Sequence, residues 1–348
     1  MEEVKNKRLL MIGTNSVNTY NHYLLIKGCF QDVRVIFTRK GAYSDLVPDS
    51  EVFECSVRKP LQILRFTRAI KRNIKEFKPD VIHVHQLDTS AFYTLAAVRK
   101  KVPVLFMAWG SDVLVNPKKS FILKKMVQYI LRHGDYYTSN SQYVASEMRR
   151  LANKNLEIPL ANLGIDIVSQ KAEKQNVVFS NRLHNPLYRI DLIIRAFAKF
   201  AENEPDWKLV IGATGSETEN LKALAADLNL GDKIEFVGWL DKEKNFYYYS
   251  IAKIWVSIPC SDAAPTSLFE AMSMGCIPVV ADVPSIHEWI HDGVNGVIVK
   301  DLSTDFISVA TQIHIDEAAA MNKKIVLETA TKEANRNKYI QIYKKICL

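Results

Sequence analysis

The sequence predicts an α/β protein of two doubly wound domains, each a parallel sheet flanked by helices. Three observations lead there. A length of 348 residues exceeds what one core usually organises and suits two domains of about 150 to 200 residues. Short apolar runs alternate with helical stretches along the whole chain, the pattern of parallel βαβ units. Hydrophobic residues make up 48% and charged residues 24%, an ordinary globular balance that excludes disordered and fibrous classes.

The elements follow in order. Arg8 to Gly13 and Val33 to Thr38 read as strands, and Pro60 to Lys78 as a helix. Asp80 to His85 is a strand of β-branched residues, followed by a helix to about Lys100 and a strand over Val102 to Ala108. The second half repeats this logic. Strands are expected over Asn176 to Ser180, Trp207 to Gly212, Lys233 to Val237, Lys253 to Ser257 and Ile277 to Ala281. Helices are expected over Ile190 to Glu202, Thr218 to Leu228 and Pro265 to Met274, with a polar-faced helical segment from about Phe306 onward. The polar stretch Ser169 to Asn176 reads as a linker. The expected division is residues 1–168, residues 169–325, and a helix over 326–348 crossing back to the first domain. Two such domains facing each other would gather their strand C-terminal ends around one cleft, where ligands of such folds bind.

Other features exclude function classes. No apolar run approaches the roughly 18 residues that span a bilayer. The charged start and the short Leu9 to Ile12 run fit a first strand better than a signal peptide, so a cytoplasmic protein is expected. The five cysteines, Cys29, Cys55, Cys260, Cys276 and Cys347, include no CxxC pair and indicate neither a disulfide framework nor a zinc site. Gly13-Thr-Asn-Ser16 after the first strand is not the dinucleotide fingerprint. The chain contains no Asp-x-Asp, the usual ligand pair for a metal on a diphosphate. Charge is uneven: residues 1–168 hold 26 Lys+Arg against 15 Asp+Glu. A basic half points to an anionic surface or substrate group, but no nucleic-acid module accompanies it.

Several segments, in order, resemble the retaining family-4 glycosyltransferases of the GT-B fold, in their "WGSD" form. These are Lys78-Pro-Asp-Val-Ile-His-Val-His85, Trp109-Gly-Ser-Asp112 and Asn162-Leu-Gly-Ile-Asp166 in the first half. The second half carries Ser180-Asn-Arg-Leu183, Ile211-Gly-Ala-Thr-Gly215 and Phe236-Val-Gly-Trp239. It continues with Glu270-Ala-Met-Ser-Met-Gly-Cys-Ile-Pro-Val279 and His287-Glu-Trp-Ile-His-Asp-Gly-Val-Asn-Gly296. Three positions depart from the family. Its Glu-x7-Glu is here Asp262-x7-Glu270, its lysine after the "GRL" segment falls on Tyr188 beside Arg189, and its Gly-Gly loop is Gly13-Thr-Asn-Ser16.

The resemblance implies a GT-B architecture of two Rossmann-like domains, the second holding a nucleotide-sugar and the first an acceptor. Thr266, Ser267 and Leu268 open a helix whose N–H groups and dipole suit a diphosphate. The family assigns Glu270 to the donor ribose, although Ser267-x-x-Glu270 also reads as a capping box. Arg182 is placed to meet the diphosphate with a planar charged fork, with Arg189 as a second cation; either could be a surface arginine. Gly212 is assigned to donor binding, and Gly238 and Trp239 near the base, though Trp239 could be core. Asp262 is assigned to the transferred sugar, against a plain loop carboxylate. His85 and Asp112 are assigned to the reaction centre. The alternatives are a structural strand histidine and a turn or cap aspartate.

The resulting expectation is a retaining, metal-independent hexosyltransferase with no cofactor. Its donor would be a UDP-sugar ahead of GDP-mannose, and its acceptor a glycan or lipid-diphosphate-linked glycan. The helix at Pro60 to Lys78 carries Arg65, Arg68, Arg72 and Lys75 on one face and Ile63, Phe66, Ile70, Ile74 and Phe77 on another. The basic face suits either an anionic membrane or bulk solvent. A UDP-sugar epimerase and a catalytically silent sugar-nucleotide-binding subunit are the rival readings.

Overall fold

The computed structural model describes residues 2–56, 58–169 and 172–347. The chain forms two compact units, one of Met1–Leu163 with Lys332–Leu348, the other of Gly164–Thr331. The divisions lie at 163/164 and 331/332, where 168/169 and 325/326 were expected. Gln170 and Lys171 of the expected linker lie outside the described residues. The chain on either side of them is tied into the second unit. Ile165 N–H donates to Ala330 O at 2.7 Å, and Lys174 Nζ donates to the carbonyls of Tyr249 and Ala252.

The first unit holds six parallel strands: β1 (Arg8–Gly13), β2 (Asp32–Phe37), β3 (Ser50–Val52), β4 (Val81–His85), β5 (Val104–Ala108) and β6 (Tyr136–Ser139). Their order is β3-β2-β1-β4-β5-β6. β4 and β5 are buried at every position, as expected of central parallel strands covered on both faces. The strand order reverses between β1 and β4, so Gly13 and His85 end their strands at the switch point, where ligands of such sheets bind. No side chain fits at Gly13, since a Cβ there would lie 2.9 Å from Thr19 Oγ1 and 3.1 Å from the His85 Cβ. The final helix, Lys332–Cys347, belongs to this unit. It buries Tyr339 and Tyr343 in the core with β1, β2 and β4 residues, and Asn335 Oδ1 accepts from Asn162 N–H at 2.9 Å.

The second unit repeats the plan with β7 (Gln175–Ser180), β8 (Lys208–Gly212), β9 (Ile234–Gly238), β10 (Ala252–Ser257), β11 (Ile277–Ala281) and β12 (Val297–Val299). The order is β12-β11-β10-β7-β8-β9, with the reversal between β7 and β10. The Ile190–Asn203 helix shows why its sequence folds this way. Ile190, Ile193, Ile194, Phe197, Phe200 and Ala201 recur at helical spacing and are all buried, so one stripe covers the sheet. Trp255, Tyr249 and Phe179 are fully buried beside them.

Sequence reading missed β3, β6 and β12. They are three or four residues long and lie at sheet edges, where a short run shows little periodicity. The expected terminal helical segment is two helices, Ile315–Thr329 and Lys332–Cys347, belonging to different units. No helix among the described residues is long and apolar enough to cross a membrane.

Candidate active site

A polar cluster of the second unit sits at its topological switch point, where the loops after β7 and β10 meet. Arg182, two residues past β7, donates from Nη2 to Asp262 Oδ2 at 2.9 Å and from Nη1 to Ser267 Oγ at 2.5 Å. Both charged side chains are largely shielded, at 14% and 17% exposure. The guanidinium carbon lies 4.4 Å from the centroid of the Tyr188 ring. That contact supports the fork by cation–π attraction, worth about 0.5–2 kcal/mol. Arg182 is therefore a fixed cation rather than a surface arginine. The expected family lysine is replaced at Tyr188 by a ring that holds the cation next door.

The Thr266–Ser273 helix begins in this cluster. Its cap is Pro265, with no side-chain cap bond, so the capping box expected as an alternative is not formed. Ser267 Oγ meets Arg182 instead. The Leu268 N–H turns back to Pro265 O at 3.0 Å, so the N–H groups of Thr266 and Ser267 are those at the open helix end. One turn in, Glu270 Oε2 lies 3.2 Å from the Tyr249 hydroxyl. Burial, and then the Glu270 charge, push the Tyr249 phenol well above its ordinary pKa, so it remains a donor. Asn181 links this network to the core. Its Nδ2 donates to Tyr249 OH at 2.7 Å and to Asn245 Oδ1 at 2.8 Å, and its Oδ1 accepts from Trp255 Nε1 at 3.0 Å.

Arg189 adopts a left-handed backbone with φ 51°, and its Nε–H points to Cys260 Sγ at 2.9 Å. Its cation is thus directed to the loop after β10. Gly212 O meets His184 Nε2 at 3.1 Å, and Gly238 (φ 68°) lets β9 end in a turn. Trp239 is 71% exposed and is not core.

In the first unit, Asp112 is buried. One carboxylate oxygen accepts from Gly110 N–H at 2.8 Å and Trp109 N–H at 3.1 Å, the other from Leu87 N–H at 2.9 Å. With both oxygens accepting from backbone donors, Asp112 ties the loop after β4 to the loop after β5. Burial nevertheless pushes its pKa up, against the three N–H groups. His85 ends β4 with 1% exposure, its ring packed against Trp109 and His83. Burial brings its pKa down to about 3, so it is a neutral imidazole.

Asn181, Tyr188 and Tyr249 are the site residues to which sequence reading gave no role. Asn181 sat inside a quoted motif, and Tyr249 lies in a run of three tyrosines with no spacing of its own.

The sequence pattern of the glycosyl transferases group 1 matches residues 165–323, and that of the glycosyl transferase 4-like domain matches residues 18–141. The chain belongs to the glycosyltransferases. An uncharacterized glycosyltransferase of Methanocaldococcus jannaschii is 23% identical over 71% of this chain and 70% of its own length. The lipopolysaccharide core biosynthesis glycosyltransferase LpsE of Rhizobium meliloti is 23% identical over 70% of this chain and 76% of its own. Anabaena HepE in complex with UDP superposes with a TM-score of 0.81 at 15% identity, covering 97% of this chain and 100% of that one. The two six-stranded parallel sheets are those of the GT-B fold. This glycosyltransferase thus places the cluster around Arg182 in its group 1 domain.

Proposed function

We propose that this glycosyltransferase transfers a hexose from a UDP-sugar, with retention of anomeric configuration and without a metal on the diphosphate. The observation that carries the reading is Arg182, held at the switch point beside the open N-terminus of the Thr266–Ser273 helix. Departure of the sugar builds negative charge on the β-phosphate. A cation and helix N–H groups already fixed there lower that barrier without reorganising. Asp262 now shares the Arg182 fork; when a diphosphate takes that place, Asp262 is released toward the sugar hydroxyls. Glu270, steadied by Tyr249, takes the ribose. Retention follows from the family resemblance and needs no enzyme nucleophile. UDP as the nucleotide agrees with the HepE complexes, which hold UDP and UDP-glucose.

The test is UDP release from a panel of UDP- and GDP-sugars, wild type against Glu270→Ala, with and without EDTA. One UDP-sugar is expected to turn over in EDTA. Glu270→Ala should raise its KM about 10- to 100-fold, the worth of one or two hydrogen bonds to a charged group. Loss of activity in EDTA that Mg²⁺ or Mn²⁺ restores would sink the metal-free reading. Conversion of the donor to its epimer without UDP release would favour the epimerase. Tight UDP binding with no turnover on any acceptor would favour the silent subunit.

The acceptor we propose is a glycan on a lipid diphosphate, reached at an anionic membrane surface. Phe121 and Ile122 are 72% and 68% exposed and open a helix flanked by Lys118, Lys119, Lys124 and Lys125. Such a tip combines apolar insertion with attraction to anionic headgroups, worth about 1 kcal/mol per basic residue. On the Pro60–Glu76 helix, Arg65, Arg68 and Lys75 are exposed, whereas Arg72 is spent on Glu51 and Glu76. Co-sedimentation with phosphatidylglycerol vesicles should fall at least 10-fold in Phe121→Ser/Ile122→Ser. Equal sedimentation of variant and wild type would remove the membrane from the proposal.

A further inference from the structure

Three histidines of the first unit meet in its core. His22 comes from the Val17–Ile26 helix, and His83 and His85 are alternate residues of β4. All three are at most 1% exposed. One ring nitrogen from each lies within 4.8 Å of those of the other two. The transferase reading uses neither His22 nor His83.

Their hydrogen bonding is incomplete in a patterned way. The Tyr343 hydroxyl, from the C-terminal helix, lies 2.7 Å from His83 Nδ1 and 3.3 Å from His22 Nε2. The opposite nitrogens, His22 Nδ1 and His83 Nε2, are buried without a hydrogen-bond partner, as are both nitrogens of His85. Buried polar atoms are normally satisfied, and four orphans in one cluster call for a ligand. A neutral imidazole carries one N–H and one lone pair. With the Tyr343 oxygen accepting N–H from both His22 and His83, their lone pairs fall on the two orphan atoms. That is how histidine ligands of metals are usually held, with the far N–H given to an oxygen acceptor that fixes tautomer and ring plane.

We propose that His22 Nδ1, His83 Nε2 and one ring nitrogen of His85 bind a divalent d-block ion, with zinc preferred. Three neutral imidazoles suit zinc, copper and nickel and reject magnesium and calcium, which take oxygen ligands. Zinc bonds of about 2.0–2.1 Å put the nitrogens of a tetrahedral site about 3.4 Å apart. Loading therefore requires the rings to turn until the three ligating nitrogens reach that spacing. The fourth position goes to water. The ion is structural: with Tyr343 as outer partner it fastens the Val17–Ile26 helix and the C-terminal helix to β4. Its proposed role is separate from the metal-free donor chemistry proposed above.

The test uses the full-length, tag-free chain, stripped with EDTA, desalted and titrated with Co²⁺. Binding is read without turnover and stands apart from the transferase reading. One equivalent of Co²⁺ should bring up visible d–d absorption, displaced by Zn²⁺ and untouched by Mg²⁺. Excess Zn²⁺ should raise the thermal midpoint by about 5 °C. His22→Asn should lower the stoichiometry below about 0.2 while keeping the far-ultraviolet circular dichroism of wild type. Tyr343→Phe, which removes only the outer oxygen, should weaken affinity about 10-fold and keeps the test decisive if His22→Asn fails to fold. A folded wild type with no d–d bands and no thermal shift overturns the proposal. So does Co²⁺ binding with the same stoichiometry and affinity in both variants, which would place the ion elsewhere.

Discussion

Arg182→Ala is expected to lower kcat by about 10³-fold while changing the donor KM far less. The guanidinium stands at the switch point of the group 1 domain, held by Asp262, Ser267 and the Tyr188 ring. In the proposed mechanism its contribution grows as charge moves onto the departing diphosphate, so it acts mainly in the transition state. Removing one prearranged charge-stabilising group from such a site typically costs about 10²–10³ in rate. A cation with full charge and two forked donors belongs at the upper end. Arg182→Lys should recover part of the loss, because the charge returns without the planar fork. Tyr188→Phe keeps the supporting ring and should stay within about threefold of wild type. The measurement is steady-state UDP release with donor and acceptor varied separately. A folded Arg182→Ala enzyme within fivefold of wild-type kcat would refute the role.

Gly215→Ala is expected to destabilise the second unit by about 3 kcal/mol, with a raised donor KM. A Cβ at this position would lie 2.2 Å from the His184 carbonyl oxygen and 2.7 Å from its carbon. These are backbone atoms and cannot turn aside as a side chain does. Relief requires the loop after β7 to part from the loop after β8. That separation strains the bonds from Glu217 N–H to His184 O and from His184 N–H to Thr214 O. Overpacking costs about 1–3 kcal/mol, and each strained bond adds about 1 kcal/mol. The moved segment is also the one that carries Arg182. Gly28→Ala is the control, since a Cβ there meets nothing within 4 Å. Urea unfolding followed by tryptophan fluorescence reports chiefly on the second unit, which holds Trp207, Trp239, Trp255 and Trp289. An unchanged midpoint in Gly215→Ala would contradict the close approach.

The alternation of apolar runs with amphipathic helices carried the α/β class and most of the strands, because a parallel strand buried on both faces must be apolar throughout. The Ile190–Asn203 stripe is legible for the same reason. Motif order named Arg182 and Glu270, and the fold sets them against Ser267 and Tyr249. Three features were not legible. Edge strands of three or four residues are made by pairing with a neighbour, not by their own composition. The partners of Asp112, three backbone N–H groups from two loops, meet only in the fold. Trp239 reads equally as core or surface.

What the sequence determined by itself is local: periodicity, helix starts, and which residue types stand at each strand's C-terminal end. The tertiary structure alone decided which distant residues meet. Arg182 and Asp262 are 80 positions apart, and His83 and Tyr343 are 260 apart. Those pairings depend on strand order, and in both sheets the order reverses beside the first strand. No single segment encodes that reversal. It comes from packing all the helices against both sheet faces at once, and it is what turns scattered polar residues into sites.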